Sequence, residues 1–236
     1  MNKYNRTFNS FHLNKTIDYM VLTMSENIED AYVLYVQDGR DYYELGGMES
    51  AIQDLVRANP ELANHLVFVL IHPGDSNERW ESYSRKGASF RHFIRFMNDE
   101  FIPEFERDLG VENISKRGLL GDSLAGNISL NIALEKPERW THLLLQSPAV
   151  SDGDIKQVAE VDLPSWNVYQ TVGTFEDEFI SPLSNEKLLI FTRNRQLYRS
   201  FLSKQIKFHY IESEDEHLWK VWERDLPLLL DFFVQH

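Results

Sequence analysis

Short apolar runs rich in β-branched and aromatic residues alternate along this chain with stretches whose apolar residues recur every three or four positions. That alternation restricts the fold more than any other feature. The runs lie at Thr16–Thr23, Ala31–Gln37, Leu66–His72, Gly118–Leu120, His142–Gln146, Val168–Gly173 and Ile206–Ile211 and are read as strands. The helical patterns lie at Met48–Asn59, Ala88–Leu109, Leu124–Glu135, Asn185–Ser203 and Leu218–Val234. Parallel strands need long crossovers, which helices supply, so the expected fold is α/β: a mostly parallel central sheet flanked by helices.

In the longest helical pattern, Phe90, Phe93, Ile94, Met97, Phe101, Phe105 and Leu109 share one face and are read as core. Pro103 lies inside that run and is expected to kink it or split it in two. No internal repeat, low-complexity tract or Gly/Ser linker interrupts the chain, so residues 1–236 are expected to form a single domain.

Composition narrows the function classes. With 37 acidic against 24 basic side chains the formal net charge is -13, and the Lys and Arg residues are scattered without a basic patch. A nucleic acid partner is therefore not expected. The chain has no cysteine, which removes disulfides, thiolate metal sites and cysteine nucleophiles together. No segment approaches the ~18 apolar residues of a membrane span, and the first twenty residues hold no continuous apolar stretch. The expectation is a soluble, cytoplasmic protein without a membrane partner.

The segment Gly118-Leu119-Leu120-Gly121-Asp122-Ser123-Leu124-Ala125-Gly126 joins a short apolar strand directly to an amphipathic helix, with a serine at the junction. That is the context of a nucleophile elbow, whose tight turn needs small residues two before and two after the serine. Here these are Gly121 and Ala125, and Gly126 supplies another small residue one position later. The N–H of Leu124 opens the helix and is read as one oxyanion donor, favoured by the helix dipole. The second should come from the loop after an early strand, where the N–H of Arg40 or of Gly39 is the candidate; Asp38 is read equally well as a turn cap.

A serine hydroxyl needs a base within hydrogen-bond reach, and in this fold the base follows the nucleophile and an acid in chain order. Of the four histidines after Ser123, His142 opens an apolar strand, His209 alternates within one and His236 is the last residue. His217 lies between the last strand and the last helix and is the candidate base. The orienting acid should follow the preceding strand, in Val172-Gly173-Thr174-Phe175-Glu176-Asp177-Glu178. Glu176 is preferred, Asp177 is the alternative, and Asp152 or Asp154 stands further behind.

These residues resemble those of the Putative esterase family, the α/β-hydrolase branch that includes esterase D, enterochelin-type siderophore esterases and mycolyltransferases. The likeness rests on Gln37-Asp38-Gly39, the elbow at Gly121–Gly126, Glu135-Lys136-Pro137-Glu138-Arg139-Trp140, Ser147-Pro148-Ala149, the Val172–Glu176 turn and His217-Leu218-Trp219-Lys220-Val221-Trp222. The resemblance implies Ser123 as nucleophile, Glu176 as acid and His217 as base. Two positions depart from the family pattern: Ala125 stands where a second glycine is usual, and Glu216 precedes the histidine where glycine is usual. Glu216 is expected either to raise the basicity of His217 or to compete for it.

The leading expectation is hydrolysis of a small-molecule carboxylic ester through acylation of Ser123, with no metal or organic cofactor required. Siderophore ester hydrolysis and acyl transfer to an alcohol are alternatives within the enzyme class. A non-catalytic binding protein that retains the fold is the alternative outside it. Tyr42, Tyr43, Trp80, Tyr83 and Trp219 are candidate pocket aromatics, and Arg79 and Arg85 are read first as solvated surface.

Overall fold

The structure is a computed structural model that describes residues 1–182 and 185–236. Eight strands form one sheet: β1 (Asn2–Ser10), β2 (Lys15–Thr23), β3 (Ala31–Val36), β4 (Leu66–Ile71), β5 (Ile114–Asp122), β6 (His142–Gln146), β7 (Asn167–Gly173) and β8 (Lys207–Ser213). Their spatial order is β1-β2-β4-β3-β5-β6-β7-β8. β2 runs antiparallel to both β1 and β4, and all other neighbours are parallel. This is the mostly parallel α/β sheet the alternation predicts.

The strand order reverses between β3 and β5, since β4 lies to one side of β3 and the later strands run off to the other. Such a switch leaves a crevice beyond the carboxyl ends of the two strands, because their crossover helices pack on opposite faces. Side chains alternate across β3 accordingly. Val33 and Tyr35 join the core on one face, with α3 (Ser76–Tyr83), α4 (Phe90–Arg95), α5 (Ile102–Leu109), α6 (Ser123–Glu135), α7 (Asp152–Glu160) and α8 (Ile190–Leu202). Leu34 and Val36 join the core on the other, with α1 (Gly39–Glu44), α2 (Met48–Ala58) and α9 (Trp219–Gln235). α6 is buried along almost its whole length, from Ser123 to Leu134.

One expectation holds, and others are corrected. Pro103 does divide the Ala88–Leu109 pattern: α4 gives way to a π-helical turn over Phe96–Phe101, and Pro103 falls in the first turn of α5. There its missing N–H is tolerated, and the Asn98 carbonyl accepts a bond from Arg139 Nη1 at 2.9 Å. The strand read at Gly118–Leu120 begins earlier, at Ile114, because Lys116 and Arg117 interrupt its apolar pattern. Arg117 is paired with Glu106 at 2.8 Å, which lets its charge sit half-buried in a strand. The helix read from Asn185 begins at Ile190, after an isolated bridge between Ile180 and Lys187. β1, α1, α3 and α7 have no counterpart in the sequence reading.

Candidate active site

β5 ends at Asp122 and α6 starts at Ser123, so the chain reverses direction within one residue. Ser123 has φ +45°, in the left-handed region that costs a residue with a side chain about 1 kcal/mol or more. The turn is held by its small neighbours. A Cβ on Gly121 would lie 2.3 Å from the backbone of Ala125, and one on Gly126 would lie 2.9 Å from Pro148 Cβ. Ala125 is itself fully buried, so the methyl group that replaces the usual glycine is accommodated by packing. The result lifts the hydroxyl of Ser123 above the sheet edge at the entrance to α6.

His217 Nε2 lies 2.8 Å from Ser123 Oγ, and His217 Nδ1 lies 2.7 Å from Glu176 Oε2. Residues distant in sequence thus meet in one hydrogen-bonded line. Glu176 is fully buried, and its other oxygen, Oε1, accepts from Ser147 Oγ at 2.7 Å and from the Gly173 N–H at 2.8 Å. The loop carrying Glu176 is tied to the loop carrying His217 through the backbone: Thr174 N–H donates to Ser213 O and Phe175 N–H to Asp215 O. Gly173 permits that approach, since a Cβ there would lie 2.3 Å from Asp215 O. The imidazole itself lies between the rings of Phe179 and Trp222, at 4.4 and 4.9 Å between centroids, with 5% of its side chain exposed.

The alternative acids lie elsewhere. Asp177 accepts from the Thr192 N–H at 2.9 Å and its hydroxyl at 2.5 Å, securing the start of α8. Asp154 is buried, bonded to Ser151, Asn131 and Arg85, and it closes a capping box at the start of α7. Asp152 is exposed and pairs loosely with Arg193. Glu216 is exposed, and both ring nitrogens of His217 are engaged by other groups, so it does not compete for the imidazole. The remaining histidines behave as packing and surface residues. His142 is buried between Phe232 and Phe233, and His209 stacks on Tyr169.

The strand end opposite holds the other candidates. Asp38 follows β3 with φ +55° and directly precedes Gly39, the first residue of α1, whose Cβ would lie 2.5 Å from the Leu70 backbone. Gly39 and Arg40 are the first two residues of α1, and Leu124 is the second residue of α6 and lines the cleft beside Ser123. Asp38 and Asp41, rather than Arg40, line the cleft of about 350 Å3 that contains Ser123 and His217. Asp38 does more than cap a turn: a single oxygen of its buried carboxylate, Oδ2, accepts from two nitrogens of Arg79, Nε at 2.6 Å and Nη2 at 2.5 Å. Burial opposes the charge of Arg79, yet Asp38 outweighs it and the guanidinium holds its proton more firmly than a free one.

Asp122 lies beside Asp38, two residues beyond the last paired positions of β3 and β5, Val36 and Leu120. Burial first, and the Asp38 charge second, push its carboxyl well above the usual carboxylate range. The expectation of a solvated surface thus fails for Arg79, and it fails for Arg85 too, whose guanidinium binds buried Asp154 and Asn131. Of the five candidate pocket aromatics only Trp219 lines the cleft, together with Phe179 and Trp222, while Tyr42 and Tyr83 are buried in the two cores. A larger groove of about 1050 Å3 lies between β1, β2 and α5 and contains none of these residues.

Among the described residues no group of three or more His, Asp or Glu side chains is disposed to hold a metal ion, and no helix is long and apolar enough to cross a membrane.

The comparisons with known proteins agree with this architecture. A ferulic acid esterase superposes with a TM-score of 0.76 at 17% identity, covering 99% of this chain and 98% of that one. The enterobactin esterase FES from Shigella flexneri superposes with a TM-score of 0.79 at 17% identity, covering all of this chain and 59% of that one. At such identities the likeness speaks for the fold. In sequence, the chain is 27% identical over 224 residues to Uncharacterized protein YjcH of Bacillus subtilis (strain 168), covering 92% of this chain and 91% of that protein. Residues 12–233 match the family described as Putative esterase, and with nearly its whole length inside that match, on an α/β-hydrolase sheet, the chain belongs to this family of carboxylic ester hydrolases.

Proposed function

We propose that this chain is a serine esterase in which Ser123, His217 and Glu176 act as nucleophile, acid–base and orienting acid on a small-molecule ester. The observation that carries the reading is the imidazole of His217, within 2.8 Å of the serine oxygen on one side and 2.7 Å of a buried carboxylate on the other. Glu176 accepts the Nδ1–H, which leaves Nε2 unprotonated and facing the hydroxyl. As Ser123 Oγ bonds to the ester carbonyl carbon, its proton passes to Nε2 and the carbonyl oxygen becomes an oxyanion. The Leu124 N–H, with that of Arg40 or Gly39, stabilises this oxyanion. Collapse breaks the carbon–oxygen bond to the alcohol, which leaves with the proton from His217. Water then attacks the acyl-enzyme by the same route and frees the acid.

The cleft walls give the substrate a shape. Phe179, Leu188, Leu218, Trp219 and Trp222 form an apolar side, and Asp38, Asp41 and Arg79 form a polar one. An ester with one apolar or aromatic part fits these walls, and the reaction runs within a single domain.

Ser123→Ala is expected to reduce hydrolysis of short p-nitrophenyl esters by roughly 10⁴–10⁶-fold, as removal of a serine nucleophile does elsewhere. A fluorophosphonate probe should label wild-type Ser123 stoichiometrically and leave the variant unlabelled. Turnover by Ser123→Ala at the wild-type rate, or folded wild-type protein that resists the probe, would overturn the proposal.

A further inference from the structure

Only one oxygen of Glu176 faces the imidazole. The other belongs to a chain of hydrogen bonds running away from the cleft. Ser147 Oγ lies 2.7 Å from Glu176 Oε1, and the indole nitrogen of Trp222 lies 3.2 Å from the same Ser147 Oγ. A hydroxyl has one proton and two lone pairs, so its orientation is ordinarily free to reverse, whereas an indole N–H can only donate. Trp222 therefore occupies a lone pair of Ser147 and commits the hydroxyl proton to Glu176. Every proton along the line then has a defined direction: Trp222 to Ser147, Ser147 to Glu176, His217 Nδ1 to Glu176, and Ser123 to His217 Nε2.

We propose that Ser147 and Trp222 are positioning residues for this site, which fix the polarity of the hydrogen-bonded line from its far end. The inference rests on the reading of Ser123, His217 and Glu176 given above. Two further features support it. Ser147 has φ +48°, a left-handed conformation held by its N–H bond to Thr171 O at 2.8 Å, so backbone strain is maintained where the hydroxyl must point. Trp222 is anchored in turn. Its carbonyl accepts from Gln146 Nε2 at 3.0 Å, the Gln146 Oε1 accepts from Tyr42 OH at 2.7 Å, and the indole meets the His217 ring edge-on at 85°. One side chain thus both orients Ser147 and walls the imidazole.

Ser147→Gly removes the hydroxyl and suits the left-handed backbone; Trp222→Phe removes the N–H and keeps a ring against His217. Removing a donor from Glu176 raises the proton affinity of the carboxylate and strengthens its pull on the imidazolium, so both effects move the acidic limb of the kcat/KM profile to higher pH. On p-nitrophenyl acetate, Ser147→Gly should lose roughly tenfold in kcat with KM within about twofold, a fraction of the ~10²–10⁴ that a positioned acid–base group supplies. Trp222→Phe should lose less, and the double variant should be no worse than Ser147→Gly alone, since both changes break one line.

If Ser123→Ala abolishes turnover while Ser147→Gly leaves kcat and the acidic limb unmoved, this inference fails and the esterase reading stands. Losses that multiply in the double variant also overturn it. Should Ser147→Gly not fold, an unmoved limb in folded Trp222→Phe is by itself sufficient to reject it. Full turnover by Ser123→Ala marks failure of the esterase reading instead.

Discussion

The two flanks of Ser123 are built on opposite principles. Toward β7 and β8, each polar group of the line from Trp222 to Ser123 has a partner of the right kind, and the donors and acceptors alternate without conflict. Toward β3, charge is concentrated instead: Asp38, Arg79 and Asp122 are gathered at the strand ends, and neither Asp38 Oδ1 nor Asp122 Oδ1 has a hydrogen-bond partner among the described residues. On the proposed function the first flank specifies where a proton goes. The second holds an ion pair in a desolvated place, an arrangement costly unless the pairing is good. Substitutions on the first flank should therefore register in rate, and those on the second in stability.

The sharpest test of that division is Glu176→Gln, which preserves volume but cannot orient the imidazole as a carboxylate does. A kcat loss of about 10⁴-fold is expected, the size seen when a triad carboxylate becomes an amide, with an unfolding midpoint close to wild type. A comparable fall in stability would show that Glu176 serves the fold as much as the site, and the contrast between the flanks would weaken. Arg79→Met tests the other side. Removing one partner of a buried pair leaves Asp38 as an uncompensated charge, and about 3–5 kcal/mol of unfolding free energy should be lost in a urea titration. Asp38→Asn combined with Arg79→Met should recover part of that loss, because the stranded charge is then gone.

The same division governs what the sequence can reveal. The elbow is legible because its steric demand falls on adjacent residues: Gly121, Ser123, Ala125 and Gly126 carry it in one short segment. β3, β4, β6 and β7 are legible because burial on both faces writes nearly continuous apolar runs, as in fully buried β4. β8, an edge strand with no fully buried residue, is legible through its half-buried Phe208, Tyr210 and Ile211. β1 is not, since Asn2–Ser10 is an edge strand mostly open to water, with no apolar period to read. α3 and α7 span only two or three turns with little apolar character. Their signal is the capping pairs Asp75 with Glu78 and Ser151 with Asp154, which need no hydrophobic stripe. Glu176 and Asp177 look interchangeable in sequence. A single 3₁₀ turn sends one toward His217 and the other toward Thr192. Arg79 reads as surface because its partner lies 41 positions earlier and nothing local announces the pairing.

The smallest expected effect is the one that weighs the β3 flank most directly. Asp122 is almost fully buried, and burial followed by the neighbouring Asp38 charge raises its carboxyl well above the ordinary range. In the unfolded chain an aspartate loses its proton near pH ~3.9. Between that value and the raised one, the folded chain binds more protons than the unfolded chain, so stability falls as pH rises. Asp122 thus contributes fully below the unfolded value, and its contribution is lost as pH climbs through the folded one. A neutral amide in the same place has no proton to lose and no such dependence. Asp122→Asn should therefore gain on wild type as the pH is raised from about 4 and level off once the raised value is passed, by a few degrees in Tm, given that about 1 kcal/mol moves a domain of this size by roughly 2–4 °C. Thermal unfolding of both proteins across that range decides the matter. Curves that stay parallel would mean that Asp122 ionises as it does in the open chain, and the buried charge of this flank would then be confined to the Asp38–Arg79 pair.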